Sequence, residues 1–110
     1  CTQGVGEDGH TAGILPYPEN PRRFHRLFEK QNQWVVGYRA TKRKSEYVKR
    51  VTVTLPFLRK EVDCSVAYAT GPRKRKAVRR VLAKRGNLAK TPARILREME
   101  GVTLFTDQAL

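Results

Sequence analysis

The stretch from Gly4 to Gly13, with the sequence GVGEDGHTAG, holds the residues best suited to carry out chemistry. His10 is the side chain most readily poised as a base near neutral pH. Asp8 lies two residues before it on the same predicted turn, so both side chains could face one pocket. Glycines allow positive φ angles and a close approach of backbone to ligand, and a turn that leads into a helix presents free N–H groups to an anion. The stretch therefore predicts a catalytic turn, with a glycine turn carrying a surface histidine as the plainer alternative.

Length and composition limit the classes of protein to consider. The chain has 110 residues, enough for one small domain, and its 23 Lys and Arg against 10 Asp and Glu give a net charge of +13. Such a charge suits a nucleic acid, a phosphorylated ligand or an acidic partner, or is simply solvated. No apolar run approaches the roughly 18 residues of a membrane span, and no signal peptide is visible. Cys1 and Cys64 give neither a disulfide framework nor a metal-binding C-x-x-C spacing, which favours reduced thiols in a cytoplasmic protein.

Hydrophobic patterning predicts strands that alternate with helices. Strands are expected at residues 1–6, 34–40, 51–54, 63–70 and 102–106, and helical segments at 11–15, 22–33, from 55, 73–85 and 92–99. In the helix over 73–85 an apolar stripe is expected from Ala77, Val78, Val81 and Leu82, with Gly86 ending the helix. This order indicates an α/β fold with a mainly parallel sheet. Ligands bind beyond the carboxyl ends of such strands, so the Gly4–His10 turn and the Gly71–Lys74 segment should share one rim.

Four segments resemble one known family in the right order. The Gly4–His10 string closely resembles the G-x-G-x-D-G-H motif of the 6-phosphogluconolactonase and glucosamine-6-phosphate isomerase (deaminase) superfamily. Arg50–Pro56 resembles its R-[IV]-T-[LV]-T-L-P segment, Thr70–Lys74 its T-G-x-x-K segment, and Val102–Ala109 its closing strand and D-x-A. The resemblance implies a three-layer α/β/α Rossmann-like fold. It covers almost the whole chain but only the C-terminal half of the family domain, so residues 1–110 are interpreted as a single partial domain.

The resemblance also implies an activity, which is hydrolysis of 6-phosphoglucono-lactone to 6-phosphogluconate in the pentose phosphate pathway. His10 would activate the attacking water, and Asp8 would hold the imidazole or the substrate. Lys74 and Arg50 would contact the phosphate, and the other expected substrate contacts are Gly4, Gly6 and Gly9. No cofactor or metal is expected. The expected partners are a phosphorylated sugar lactone and either the N-terminal half of the same domain or a second copy, with no membrane.

Other interpretations stay open at this stage. Deaminases of the family carry a glutamate five positions after the motif histidine, where this chain has Leu15. Thr11–Pro16 looks like the lactonase T-A-S-L-F-P instead, with Gly13 in place of the serine, which favours a lactonase. The family's Ser/Gly-rich phosphate loop does not occur in these 110 residues. We therefore expect a fragment, a processed piece or one chain of a split domain, and its activity alone is in question.

Two non-enzymatic alternatives follow from the basic residues. The runs at 42–44, 73–76, 79–80 and 84–85 could track a phosphate backbone. Nucleic-acid binding is nevertheless disfavoured as the main function, because the aromatic residues are not grouped as a stacking platform and no zinc finger or RNP-type string occurs. The chain could also be a non-catalytic half that regulates another subunit.

Overall fold

A computed structural model describes residues 1–109 and shows a mixed α/β fold, as predicted. The strands are β1 (Thr2–Gly4), β2 (Val35–Arg39), β3 (Lys49–Val53), β4 (Ser65–Ala69) and β5 (Val102–Thr106). The α-helices are α1 (Pro21–Phe24), which continues as a π-helical turn (His25–Glu29), α2 (Leu55–Glu61) and α3 (Arg75–Leu82). Two 3-10 helices cover Pro72–Lys74 and Pro92–Arg97. No helix in this part of the chain is long and apolar enough to cross a membrane.

A parallel sheet of three strands, in the order β1-β4-β5, forms the centre of the fold. Thr2 of β1 pairs with Val66 of β4, and Ser65 of β4 pairs with Val102 of β5. Strands β2 and β3 form a separate antiparallel hairpin. Because β1 and β4 are parallel neighbours, the loops after them leave the sheet at the same edge, which places the Gly-rich turn beside the start of α3.

The two faces of the central sheet differ in burial. Side chains alternate along each strand, so Ala67 and Ala69 of β4 are fully buried on one face, whereas Tyr68 is exposed on the other. Phe105 of β5 lies beside Tyr68 on that open face, with ring centroids 5.3 Å apart and planes 19° from parallel. Parallel sheets are normally covered on both faces. The open face is therefore an incomplete layer of the fold within residues 1–109.

Helix α3 is shorter than the sequence pattern predicted. It ends at Leu82 rather than Arg85, and Leu82 is 44% exposed, so the buried stripe consists of Ala77, Val78 and Val81 only. The free carbonyls of its last turn accept hydrogen bonds from two distant guanidinium groups, those of Arg94 and Arg97. These cations satisfy the carbonyl end of the helix dipole, and the prediction that Gly86 ends the helix is wrong.

Two other helical predictions also differ from the structure. Residues 11–15 form a tight turn in which Thr11 and Ile14 make an isolated β-bridge, with Ala12 at a φ of 53°. The segment predicted as a helix over 22–33 is helical only from Pro21 to Glu29. This segment still packs on the core, because Phe24 and Phe28 are fully buried.

Candidate active site

The turn that follows β1 folds back on itself through glycine. The Gly6 N–H donates to the His10 carbonyl at 2.8 Å, and the Gly9 N–H donates to the Gly6 carbonyl at 2.9 Å. Gly9 has a φ of 92°, which a residue with a side chain rarely adopts. A Cβ atom at position 6 would lie 2.1 Å from Nδ1 and 2.2 Å from Cε1 of His10. The imidazole can occupy its position only because residue 6 has no side chain.

Asp8 holds the imidazole of His10 in a defined orientation. Its Oδ1 atom lies 2.6 Å from Nδ1 of His10 and accepts the His10 backbone N–H at 3.0 Å. Partial burial alone would raise the pKa of Asp8, but the hydrogen bonds from the His10 side chain and backbone outweigh it, so the pKa lies below its ordinary value. An ionised carboxylate only accepts hydrogen bonds, so in the neutral imidazole Nδ1 carries the proton and the lone pair lies on Nε2.

Lys74 reaches the same turn from the other loop. It lies at the junction between the 3-10 helix and α3, and its ammonium donates to the Val5 carbonyl at 2.6 Å. The neighbouring Arg73 lies 3.8 Å from the exposed carboxylate of Glu7 and does not line the cleft beside His10. Among these consecutive cations, Lys74 is the one whose residue lines that cleft.

A buried polar network beneath the turn was not identified from the sequence. Gln3 donates from Nε2 to the Thr11 hydroxyl at 3.1 Å and accepts at Oε1 from the Ser65 hydroxyl at 2.7 Å. Thr11 in turn donates to the Gly4 carbonyl at 2.8 Å. The available signal was a polar residue at the inward position of β1, between exposed Thr2 and Gly4. The network joins β1, β4 and the end of the Gly-rich turn, so it fixes the base of the candidate site.

The cleft between these elements has a volume of about 260 Å³. Its lining includes Gly4, Gly6, His10 and Lys74 among the predicted site residues, together with Thr2, Gln3, Val5 and Ala12. Gly9 is buried instead, against Thr91, and supports the turn without lining the cleft. No group of three or more His, Cys, Asp or Glu side chains within residues 1–109 is close enough to hold a metal ion.

Arg50 is the predicted site residue that the structure keeps apart from this cleft. It lies on β3, where Nη1 donates to the Ser45 hydroxyl at 2.7 Å, and its buried Nε has no hydrogen-bond partner among the described residues. Cross-strand Tyr38 donates its hydroxyl to the Gly13 carbonyl at 2.6 Å. Burial raises the pKa of Tyr38 to about 12, with the charge of Arg50 partly offsetting it. Arg50 therefore belongs to the hairpin that supports the Thr11–Ile14 turn.

Comparison with known proteins shows the family of the chain. The sequence profile of the family described as glucosamine-6-phosphate isomerases/6-phosphogluconolactonase matches residues 1–105. The chain belongs to this family. A search of curated protein sequences found no match.

Solved structures of 6-phosphogluconolactonases have the same fold. The one from Leishmania guyanensis is 27% identical with a TM-score of 0.72, and the one from Trypanosoma brucei is 27% identical with a TM-score of 0.71. The one from Shewanella baltica, at 16% identity and a TM-score of 0.72, shows likeness of fold alone. Each alignment covers 96% of this chain but only 37%, 38% and 42% of the respective relative. The chain thus spans about two fifths of the length of these family members.

The residue five positions after the motif histidine is the one expected from the resemblance to distinguish a deaminase from a lactonase. In this chain that residue, Leu15, is only 2% exposed and packs in the apolar core with Ile14 and Tyr17. The cleft therefore receives no side chain from this position, and the acid that faces the His10 ring is Asp8.

Proposed function

We propose that this chain is the C-terminal part of an enzyme that hydrolyses 6-phosphogluconolactone to 6-phosphogluconate. The observation that carries the proposal is the position of His10, whose ring is oriented by Asp8 and opens on the same cleft as Lys74. A base and a cation that share one small cleft suit the hydrolysis of an anionic ester. Family membership and the fold of the solved 6-phosphogluconolactonases support the same assignment.

In the proposed reaction His10 acts as the general base. Its Nε2 lone pair takes a proton from water while the water oxygen attacks the lactone carbonyl carbon. The Asp8 carboxylate stabilises the imidazolium that forms, because it already accepts the Nδ1 proton. When the tetrahedral intermediate collapses, the bond from the carbonyl carbon to the ring oxygen breaks, and the imidazolium returns its proton to the leaving alkoxide. The product is the open-chain acid, and the base is restored.

Basic side chains and the backbone of this chain would bind the substrate phosphate. Lys74 can exchange the Val5 carbonyl for a phosphate oxygen, which is the stronger acceptor for an ammonium. The backbone at Gly4 and Gly6 lies open to a ligand along the cleft. Arg50 is proposed as a second phosphate contact on the family resemblance alone, and in that role it would act from the hairpin side.

The remaining part of the family domain would complete both the fold and the site. Support comes from the alignments, which use nearly all of this chain but about two fifths of each solved relative. The open sheet face at Tyr68 and Phe105 is the kind of surface that such a part would cover. The free thiols of Cys1 and Cys64 fit a reducing compartment, and we propose a cytoplasmic enzyme.

The buried Leu15 favours a lactonase over a glucosamine-6-phosphate deaminase. An acid–His–acid relay of the deaminase type would need a carboxylate where this apolar side chain packs. Burying a carboxylate at this place in the core would cost several kcal/mol, on the order of that for an unpaired buried charge. Leu15 therefore disfavours the second candidate activity, which is deamination of glucosamine-6-phosphate.

The test measures hydrolysis by the full-length protein that carries this chain. Proton release from 6-phosphogluconolactone is followed in a pH-stat against the spontaneous rate, with and without a chelator, and ammonia release from glucosamine-6-phosphate is followed in parallel. We expect chelator-resistant lactone opening that His10→Ala abolishes, without ammonia release. A lactone rate equal to the background, or ammonia release at a comparable rate, would overturn the assignment.

A further inference from the structure

One face of α3 carries a concentrated positive charge that the proposed reaction does not use. Arg75, Lys76, Arg79 and Arg80 occupy positions i, i+1, i+4 and i+5, and all four are exposed. We name these four residues the α3 basic face. It lies opposite the buried stripe of the helix, so the side chains project into solvent over about 9 Å of helix length. Lys74, the cation at the cleft, is not part of it.

The charges on this face oppose the stability of their own helix. Arg75 and Arg79, like Lys76 and Arg80, are like-charge pairs at i,i+4 spacing, which destabilise a helix by a few tenths of a kcal/mol each. The first turn has no acidic residue, so cations stand where the helix dipole favours anions. Among the described residues none of the four is within 4.0 Å of a carboxylate, whereas Arg59 contacts two. Within the described part of the chain, no carboxylate offsets the repulsion between these cations.

The residues next to the α3 basic face in the sequence are also positively charged. Arg73, with a side chain 82% exposed, precedes it, and Lys84 and Arg85 follow it, all of them exposed. No aromatic side chain lies on α3, and its one large exposed apolar residue is Leu82. The exposed aromatic pair Tyr68–Phe105 is on the sheet, on the face away from the buried side. The α3 surface therefore has cations in a row but nothing on which a base could stack.

We propose that the α3 basic face binds the phosphate backbone of a double-stranded nucleic acid without reading its sequence. Guanidinium groups supply three of the four cations, and their planar donor fork matches phosphate oxygens. A protein partner would be expected to need apolar or aromatic anchors, which this face lacks apart from Leu82. Backbone contacts without base stacking suit a duplex better than a single strand. The property is separate from the lactone chemistry and requires no residue of the cleft.

The test uses the full-length protein that carries this chain and compares two variants of equal net charge in binding to a fluorescein-labelled 24-base-pair DNA duplex of mixed sequence. The face variant carries Arg75→Gln, Lys76→Gln, Arg79→Gln and Arg80→Gln. The control carries Arg22→Gln, Arg26→Gln, Lys30→Gln and Lys42→Gln, four exposed cations on another part of the surface. Fluorescence anisotropy gives the affinity between 50 and 300 mM NaCl. Removing one cation that neutralises a phosphate lowers the slope of log K against log salt by about 0.9.

For the face variant, we expect the slope to fall by about 3 to 4 and the affinity at 100 mM NaCl to fall on the order of 100-fold. The slope and affinity of the control variant should stay close to those of the parent protein. In the double variant Arg79→Gln with Arg80→Gln, the slope should fall by about half as much. This double variant replaces the quadruple variant in the test if the quadruple variant does not fold. Equal losses in face and control variants would show that only net charge matters. Absence of binding at 100 mM NaCl, or equally tight binding of a polyglutamate peptide, would also overturn the proposal.

Discussion

The Lys74 ammonium donates a hydrogen bond of 2.6 Å to the carbonyl of Val5, a residue 69 positions away in the chain. Val5 follows β1 and Lys74 follows β4, and because these strands pair in parallel their loops meet at one edge of the sheet. The contact keeps the cation at the cleft while leaving its other two donors available for a ligand. A cation held in this way needs little rearrangement to meet a phosphate.

The first prediction concerns phosphate recognition by Lys74. In the full-length protein, Lys74→Met should raise KM for 6-phosphogluconolactone by about 10- to 100-fold, since a charge-assisted hydrogen bond contributes about 1.5–3 kcal/mol. For an unphosphorylated gluconolactone KM should be nearly unchanged. Arg73→Met is the matched control, because it removes a neighbouring charge that does not line the cleft. Equal effects of Lys74→Met on both lactones would contradict phosphate recognition.

Arg50 can be tested in the same assay. If it contacts the phosphate, Arg50→Met should raise KM for the phosphorylated lactone with kcat largely retained. If its role is limited to the hairpin, where it donates to Ser45, the variant should instead unfold at a lower temperature with KM unchanged for the folded enzyme. Comparison with Ser45→Ala, which removes the same hydrogen bond without the charge, separates the two effects.

The third prediction concerns the base itself. His10→Ala should lower kcat by about 10²- to 10⁴-fold, the usual contribution of a general base, while leaving phosphate binding intact. Asp8→Asn should lower kcat less, because it removes the partner that orients the ring and stabilises the imidazolium but leaves the lone pair available. Affinity for 6-phosphogluconate, measured by calorimetry, is the control for both variants. Retention of most of kcat by His10→Ala would place the base elsewhere.

The sequence predicted the fold class and the meeting of the loops after β1 and β4 better than the lengths of its helices. Strand β4 and the Gly-rich turn have strong local signals, namely β-branched or small apolar alternation and closely spaced glycines. The end of α3 depends on Arg94 and Arg97, whose contacts with its last carbonyls come from a distant segment. The Gln3 network likewise depends on pairing between β1 and β4, which no local pattern contains. Long-range contacts of this kind explain why the end of α3 was predicted wrongly and why the Gln3 network was not predicted.

The fourth prediction follows from the lowered pKa of Asp8. The hydrogen bonds from His10 favour the ionised carboxylate in the folded state, so they stabilise the fold above the unfolded pKa, and this contribution is lost as pH falls through the lower, folded pKa. The melting temperature of the parent chain should therefore exceed that of Asp8→Asn at pH 6, and the difference should shrink below about pH 4. The effect is modest because the Asp8 side chain is 43% exposed. A difference independent of pH would contradict it.

The last prediction uses two glycines of the same turn. A Cβ at position 6 would overlap the His10 ring at 2.1 Å, whereas a Cβ at position 4 would meet nothing within 4 Å, and neither residue has a positive φ. Gly6→Ala should therefore displace the imidazole from Asp8 and lower kcat by roughly the 10²-fold or more expected when a general base is misplaced. Gly4→Ala should leave the imidazole on Asp8, and so serves as the matched control for the orientation of the ring. NMR of the His10 ring nitrogens gives a second measurement that does not depend on turnover: the Nδ1-protonated tautomer should persist in Gly4→Ala and be lost in Gly6→Ala. If Gly6→Ala keeps both the tautomer and kcat, the geometry of the turn does not control the base.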